Sequence, residues 1–159
     1  MPRRDSYPPP PARVAFSPGA QMLRLPERLV IVVAGGLLLA LLLTAAWLTP
    51  SPRGMGTHQQ LGLPPCTLVQ FLGIRCPSCG MTTSWAHLVR GHAWAAFRAN
   101  AGGALLGVAA VVCGPWLVVS GIRGRWCGGP PNEWLTLLVG FTIMGVTLID
   151  WAVRLSLGW

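Results

Sequence analysis

The chain of 159 residues has no lysine and only four acidic residues, against twelve arginines. The acids are Asp5, Glu27, Glu133 and Asp150. So few carboxylates exclude the paired acids of general acid–base catalysis and leave no serine–histidine–aspartate arrangement to be argued. A glycine-rich phosphate-binding loop is also missing. What remains is a set of long apolar runs and five cysteines.

Charge is scarce as well as one-sided. Charged residues make up 10% of the sequence, whereas a soluble domain carries about 25%, and hydrophobic residues make up 52%. A formal net charge of +8 is typical of nucleic-acid-binding proteins when the cations form one patch or stripe. The arginines of this chain instead flank apolar runs, as the charges of membrane proteins do. We therefore expect the lipid bilayer as a partner and no nucleic acid.

Three apolar runs, at about residues 29–48, 101–122 and 134–153, predict three transmembrane helices, and only the third contains a charged residue, Asp150. An α-helix of about twenty residues reaches ~30 Å, which is the thickness of the hydrocarbon core. A fourth apolar run, at residues 67–74, is too short to span and predicts an interfacial or re-entrant helix. The predicted fold class is an all-α membrane protein with three transmembrane helices and a short interfacial or re-entrant helical segment between the first and the second.

Residues 1–28 are rich in proline and arginine and predict a disordered cytoplasmic tail, because such a segment cannot bury enough apolar surface to order itself. Residues 29–159 form the predicted helical membrane domain. Arginines are concentrated in the tail and in the loop between the second and third runs, and cytoplasmic segments carry an excess of arginine. We therefore expect the N-terminus in the cytoplasm and residues 49–100 on the outer face.

The outer segment carries a Cys-Pro-Ser-Cys-Gly motif at residues 76–80. A tight turn of this composition points backbone amides at both sulfurs and stabilises thiolates, which bind zinc at ~2.3 Å. A structural site needs four ligands, and Cys66 is the natural third. Of His58, His87 and His92, we expect His87 as the fourth, because it follows the motif on a probable helix. The predicted ligands of zinc or another thiophilic metal are thus Cys66, Cys76, Cys79 and His87.

The same thiols allow two other interpretations. At a helix N-terminus the first thiol of a C-x-x-C pair has a lowered pKa, so that Cys76 can attack and Cys79 can resolve. Cys66 can then exchange with the pair, which makes a thiol–disulfide relay. No βαβ pattern surrounds the motif, so the sequence does not predict a thioredoxin fold. A permanent disulfide, or buried and unreactive thiols, is the third interpretation.

Further residues extend the cysteine motif into a longer pattern. They are Cys66, Cys76-Pro-Ser-Cys79-Gly80-Met81-Thr82, Arg90-Gly91 and Ala96-Phe97-Arg98-Ala99-Asn100. The pattern resembles the domain of unknown function 2752 family over about residues 57–125. This resemblance implies a small bacterial integral membrane protein, located as a multi-pass protein in the inner (cytoplasmic) membrane, and it implies no reaction. Many members carry Arg where Thr83 stands and Pro where Ala101 stands.

Together these patterns predict a non-enzymatic membrane protein with a binding or assembly role. Its cysteine site binds a metal or forms a structural disulfide on the outer face. The alternative function is the redox relay that uses Cys76, Cys79 and Cys66. Other membrane proteins are possible partners, and so is a second copy of the chain, because Gly103 and Gly107 in the second span have the small-xxx-small spacing of helix contacts.

Overall fold

The computed structural model describes residues 22–157. Its helices are α1 (Leu25–Trp47), a 3₁₀ turn (Thr57–Leu61), α2 (Thr67–Leu72), α3 (Met81–Leu88), α4 (Ala93–Ala99), α5 (Ala101–Arg123) and α6 (Glu133–Ser156). No strand occurs in the described part of the chain, which confirms the predicted all-α fold. The predicted disorder of the N-terminal tail concerns mostly residues 1–21, which lie outside the described residues.

Three helices, α1, α5 and α6, are long and apolar enough to cross a membrane, with 23, 23 and 24 residues. They confirm the three predicted spans and make this a multi-pass membrane protein. α1 begins about one turn earlier than predicted, because Pro26 suits the first turn of a helix and Glu27 Oε2 accepts the Arg24 N–H at 2.8 Å. α6 continues beyond its predicted end, where Arg154 pairs with Asp150 at 2.8 Å.

α1 and α5 form the most extensive helix pair, and glycines let their backbones approach closely. Gly35 of α1 faces Gly114 of α5, so that a Cβ at Gly35 would lie 2.7 Å from the Gly114 carbonyl oxygen. Farther along the pair, Gly121 of α5 lies under Val32 of α1. Lipid tails are as apolar as leucine, and helices in a bilayer therefore associate chiefly through van der Waals packing of this kind.

Three arginines donate to the last carbonyls of a neighbouring helix. Arg28 of α1 bonds the C-terminal end of α5 at 2.9 and 3.0 Å. Arg90, just after α3, bonds the end of α1 at 2.9 and 3.4 Å. Arg154 of α6 bonds the end of α4 at 2.8 and 3.4 Å. The last carbonyls of a helix have no partner within it, and a cation at that end also complements the helix dipole, so these contacts fix the helix ends to one another.

The segment between α1 and α5 packs back against both helices through α3. Trp85 of α3 lies in one apolar cluster with Leu42 of α1 and Ala110 of α5. Its indole Nε1 donates to the Gly103 carbonyl at 2.9 Å. Since Ala110 lies ~13 Å along α5 from its first residue, α3 reaches beside the membrane-spanning helices. α3 therefore packs alongside the spans, whereas α2, the predicted interfacial or re-entrant helix, exposes apolar side chains such as Phe71.

The glycine face predicted for self-association is occupied within the chain. Gly103 and Gly107 of α5 are buried, and the space left by their missing side chains is filled by Met81 and Trp85 of α3. The small-xxx-small spacing thus serves a contact between the span α5 and the short helix α3. Self-association through this face stays a prediction.

α6 is the least packed of the three spans, since none of its residues is buried. It meets the bundle close to the first turn of α5. There Gly102 lies directly against Thr147, and Asp150 accepts the Ala101 N–H at 3.4 Å. α6 is therefore held by a few polar contacts near its C-terminal end.

Replacing Gly35 by alanine is expected to lower the free energy of unfolding by about 1–3 kcal/mol, because the new methyl group would press on the Gly114 carbonyl. Gly36→Ala is the matched control, since nothing lies within 4 Å of the position of its Cβ. Unfolding by dodecyl sulfate in detergent micelles, followed by circular dichroism, measures both variants. Equal losses for the two variants would contradict the close packing of α1 on α5.

Candidate metal centre

The three predicted site cysteines lie in two turns. Cys66 directly precedes the first turn of α2, and Cys76 and Cys79 lie in the turn that leads into α3, where the Cys79 N–H donates to the Cys76 carbonyl at 3.0 Å. Gly80 ends this turn with φ of 91°, in the left-handed region. A Cβ at Gly80 would collide with the carbonyl of Ala99 and lie 2.7 Å from that of Gly54. Glycine is therefore required at this place both by backbone conformation and by space.

The structure brings the sulfurs of Cys66, Cys76 and Cys79 together, all within 4.8 Å of one another. The Sγ atoms of Cys76 and Cys79 are 3.1 Å apart, and the three residues are free, half-buried thiols. A tetrahedral ion at ~2.3 Å from each sulfur would hold them about 3.8 Å apart. The three sulfurs are therefore spaced for one metal ion. The 3.1 Å between the Cys76 and Cys79 sulfurs is also only about 1 Å longer than the ~2 Å sulfur–sulfur bond of a disulfide.

A partly open cavity of about 360 Å³ lies beside the three sulfurs. Its walls come from the loop after α1, the 3₁₀ turn, the start of α2 and the start of α3. Besides the cysteines, the polar and sulfur-bearing residues in its wall are Arg53, Met55, His58, Gln59, Ser78, Met81, Thr82 and Thr83. No carboxylate is among the described residues that line it. The cysteines are thus accessible to a small ligand from one side.

The thiols of the group differ in acidity. The backbone N–H of Val69, in the first turn of α2, lowers the pKa of the Cys66 thiol to about 7, against the opposing effect of burial. Burial raises the pKa of the Cys79 thiol to about 12, and the neighbouring Cys76 thiol adds to the rise. Near neutral pH Cys66 therefore has thiolate character, whereas Cys79 keeps its proton until a cation displaces it.

Asn100, at the start of α5, ties the cysteine turn to the membrane helix. Its side chain is buried, and Nδ2 donates to the carbonyls of Pro77 at 3.0 Å and Cys79 at 3.1 Å. Its Oδ1 accepts the Gly103 N–H at 2.6 Å and so caps α5. The sequence analysis quoted Asn100 only within the family pattern. An asparagine directly before an apolar run is the signal that would have identified the cap.

Two other contacts that were not predicted hold the site. The hydroxyls of Thr57 and Thr83 are buried and 2.7 Å apart, which joins the 3₁₀ turn to α3. The indole Nε1 of Trp151, on α6, donates to the Arg75 carbonyl at 2.7 Å. The residue before Cys76 is therefore anchored to the last span.

His87, the predicted fourth ligand, is not part of the cysteine group. It lies six residues into α3, about 9 Å along the helix axis from Met81. Its ring centroid is 6.0 Å from that of His92, and its Nδ1 is buried with no hydrogen-bond partner in residues 22–157. Burial lowers the pKa of His87, and the charges of His92 and Arg90 lower it further. A histidine of the 3₁₀ turn, His58, lines the cavity instead.

Replacing Asn100 by alanine is expected to cost about 3 kcal/mol of stability, because it leaves two part-buried carbonyls and one buried N–H unpaired. Asn132→Ala is the control, since Asn132 caps α6 in the same way at an exposed position, where losing the cap costs about 1 kcal/mol. Chemical unfolding in detergent compares the two variants. A loss at Asn100 no larger than at Asn132 would show that the side chain acts only as a cap.

In the reduced, metal-free protein we expect the alkylation rate of Cys66 by iodoacetamide to be half-maximal near pH 7, because the thiolate is the reacting form. The rate at Cys79 should still be rising above about pH 10, since its pKa is raised. Quenched alkylation over a pH series, resolved by peptide mass spectrometry, gives both profiles. Faster labelling of Cys79 than of Cys66 at neutral pH would contradict the structure.

Comparison with known proteins gives one match. No curated protein and no solved structure matches the chain. Residues 66–114 match the family described as protein of unknown function (DUF2752). The matched segment contains the three cysteines, α3, α4, Asn100 and the first half of α5. It therefore includes the cysteine site and most of the residues that position it. The resemblance found in the sequence is thereby confirmed over this segment: residues 66–114 are similar to the DUF2752 family of proteins of unknown function.

Proposed function

We propose that this membrane protein binds one thiophilic metal ion through Cys66, Cys76 and Cys79, in a binding rather than a catalytic role. The observation that carries the proposal is the convergence of three free thiols within 4.8 Å at one wall of a cavity. Soft thiolate donors favour zinc, copper(I) and similar ions. Calcium and magnesium need oxygen donors, and no described residue lining the cavity supplies a carboxylate.

The surroundings of the thiols favour tight binding. Gly80 and Asn100 fix the turn that carries Cys76 and Cys79, so little ordering remains to be done when the ion binds. The lowered pKa of Cys66 means that one ligand is about half deprotonated at neutral pH. Binding then has fewer protons to displace.

The distribution of arginine supports a bacterial inner-membrane protein with the site on its outer face. The start of α1 and the end of α5 lie at one end of the bundle, where Leu23 N–H donates to the Gly124 carbonyl at 2.9 Å. That end carries Arg24, Arg28, Arg123 and Arg125, and the cysteines lie at the other end. The positive-inside rule then assigns the arginine-rich end, with the N-terminus, to the cytoplasm.

A thiol–disulfide relay is the second candidate, favoured by the 3.1 Å separation of the Cys76 and Cys79 sulfurs. In this scheme the pair closes to a disulfide and passes two electrons and two protons to an external disulfide, which becomes two thiols. The acidity of the thiols favours Cys66 as the thiolate that reopens the pair. Thiol trapping across defined redox buffers tests it, and a Cys76–Cys79 pair that never changes state would exclude the relay.

Metal analysis of the purified protein tests the leading proposal. We expect about one equivalent of zinc or another thiophilic metal per chain after reducing purification in detergent, and loss of the metal when Cys66, Cys76 and Cys79 are all replaced by serine. Cys113→Ser and Cys127→Ser are matched controls outside the group and should keep the metal. Less than about a tenth of an equivalent in the wild-type protein after incubation with zinc or copper(I) would refute metal binding.

A further inference from the structure

Three thiolates leave one position of a tetrahedral ion without a protein ligand. A fourth protein donor can come from the residues that line the cavity wall beside the sulfurs. Among the residues of that wall, Arg53 has no lone pair to offer, and the Thr83 hydroxyl is taken up by Thr57. His58 is the imidazole of the wall, and imidazole is the commonest partner of cysteine in zinc sites.

The hydrogen bonding of His58 leaves the right nitrogen free. Its Nε2 lies 3.3 Å from the carbonyl oxygen of Pro64. A carbonyl only accepts hydrogen bonds, so Nε2 carries the proton and Nδ1 keeps its lone pair. Histidines that bind metals usually donate their second ring nitrogen to a backbone carbonyl or a carboxylate, which fixes the tautomer in this way.

The backbone around His58 is fixed relative to the cysteines. His58 follows Thr57, whose hydroxyl bonds that of Thr83 four residues after Cys79. Pro64, which accepts from the His58 ring, is two residues before Cys66. The turn that carries His58 is thus tied both to the helix that follows the cysteine motif and to the segment that carries the third cysteine.

We propose that His58, and not His87, is the fourth ligand of a Cys₃His zinc(II) site, and that it binds through Nδ1. This inference rests on the metal-binding function proposed above. The His58 ring lies outside the group of sulfurs that are within 4.8 Å of one another, so binding through Nδ1 requires its half-buried side chain to rotate toward the ion. Three thiolates and a neutral imidazole give the zinc site a charge of about −1, which Arg53 in the same wall offsets.

Cobalt(II) substitution tests the ligand set, because the energies of its visible d–d bands depend on the donor atoms. The full-length protein in detergent is loaded with cobalt(II), and His58→Ala is compared with the wild type and with His87→Ala. We expect His58→Ala to shift the d–d bands and to weaken zinc affinity at least about 10-fold. His87→Ala should leave both unchanged, and added imidazole should restore the wild-type bands to His58→Ala through the open cavity.

The outcomes separate this inference from the proposed function. If the wild type binds neither cobalt nor zinc, the metal function and the Cys₃His site both fail. If cobalt binds and depends on the three cysteines, but His58→Ala keeps the wild-type spectrum and zinc affinity, only the assignment of His58 is overturned. A spectral change in His87→Ala with none in His58→Ala would assign the fourth position to His87. Circular dichroism of each variant shows that its helices are intact.

Discussion

The buried amide of Asn100 joins the two halves of this structure. Its oxygen satisfies a free N–H at the start of α5, and its two N–H groups satisfy carbonyls of the cysteine turn. Unpaired backbone groups cost several kcal/mol in a bilayer, so a helix that begins beside lipid needs such a cap. Here the cap also sets the place of Cys79. The cysteine turn is therefore positioned by the end of a membrane helix and has no need of a separate soluble domain.

Arginine has a comparable double role. Arg90 and Arg154 lie at the same end of the bundle as the site cysteines. The positive-inside rule leads one to expect few arginines at that end if it faces outward. Both are bonded to carbonyls at helix ends, and Arg154 also pairs with Asp150. Their presence at that end has a structural reason, and the arginines around α1 and α5 at the opposite end remain as the topological signal.

The sequence predicted what depends on neighbouring residues. The spans follow from hydropathy and length. Cys76 and Cys79 share one turn, and Cys66 precedes them by only ten residues, so the sequence itself suggested the group of three. The start of α1 lies about one turn before the apolar run, where Pro26 and Glu27 suit the first turn of a helix. The partners of Arg28 lie on α5, and no local pattern shows them. The packing of α3 between the spans depends on Trp85 meeting glycines of α5, and that contact is equally nonlocal.

The histidine assignment shows the same limit. His87 follows the motif closely in sequence, but a helix carries it away from the turn at ~1.5 Å per residue. His58 is farther from the motif in sequence, and the loop after α1 returns it to the cavity wall. Distance along the chain therefore did not indicate which histidine lines the cavity.

The bond from Trp151 to the Arg75 carbonyl has a consequence for biosynthesis. α6 is synthesised after the cysteine motif, so the loop before the motif gains this tether only once α6 has been made. Nascent chains arrested before α6 has entered the bilayer carry the motif without that restraint. The final positioning of the cysteine turn therefore waits for the third span.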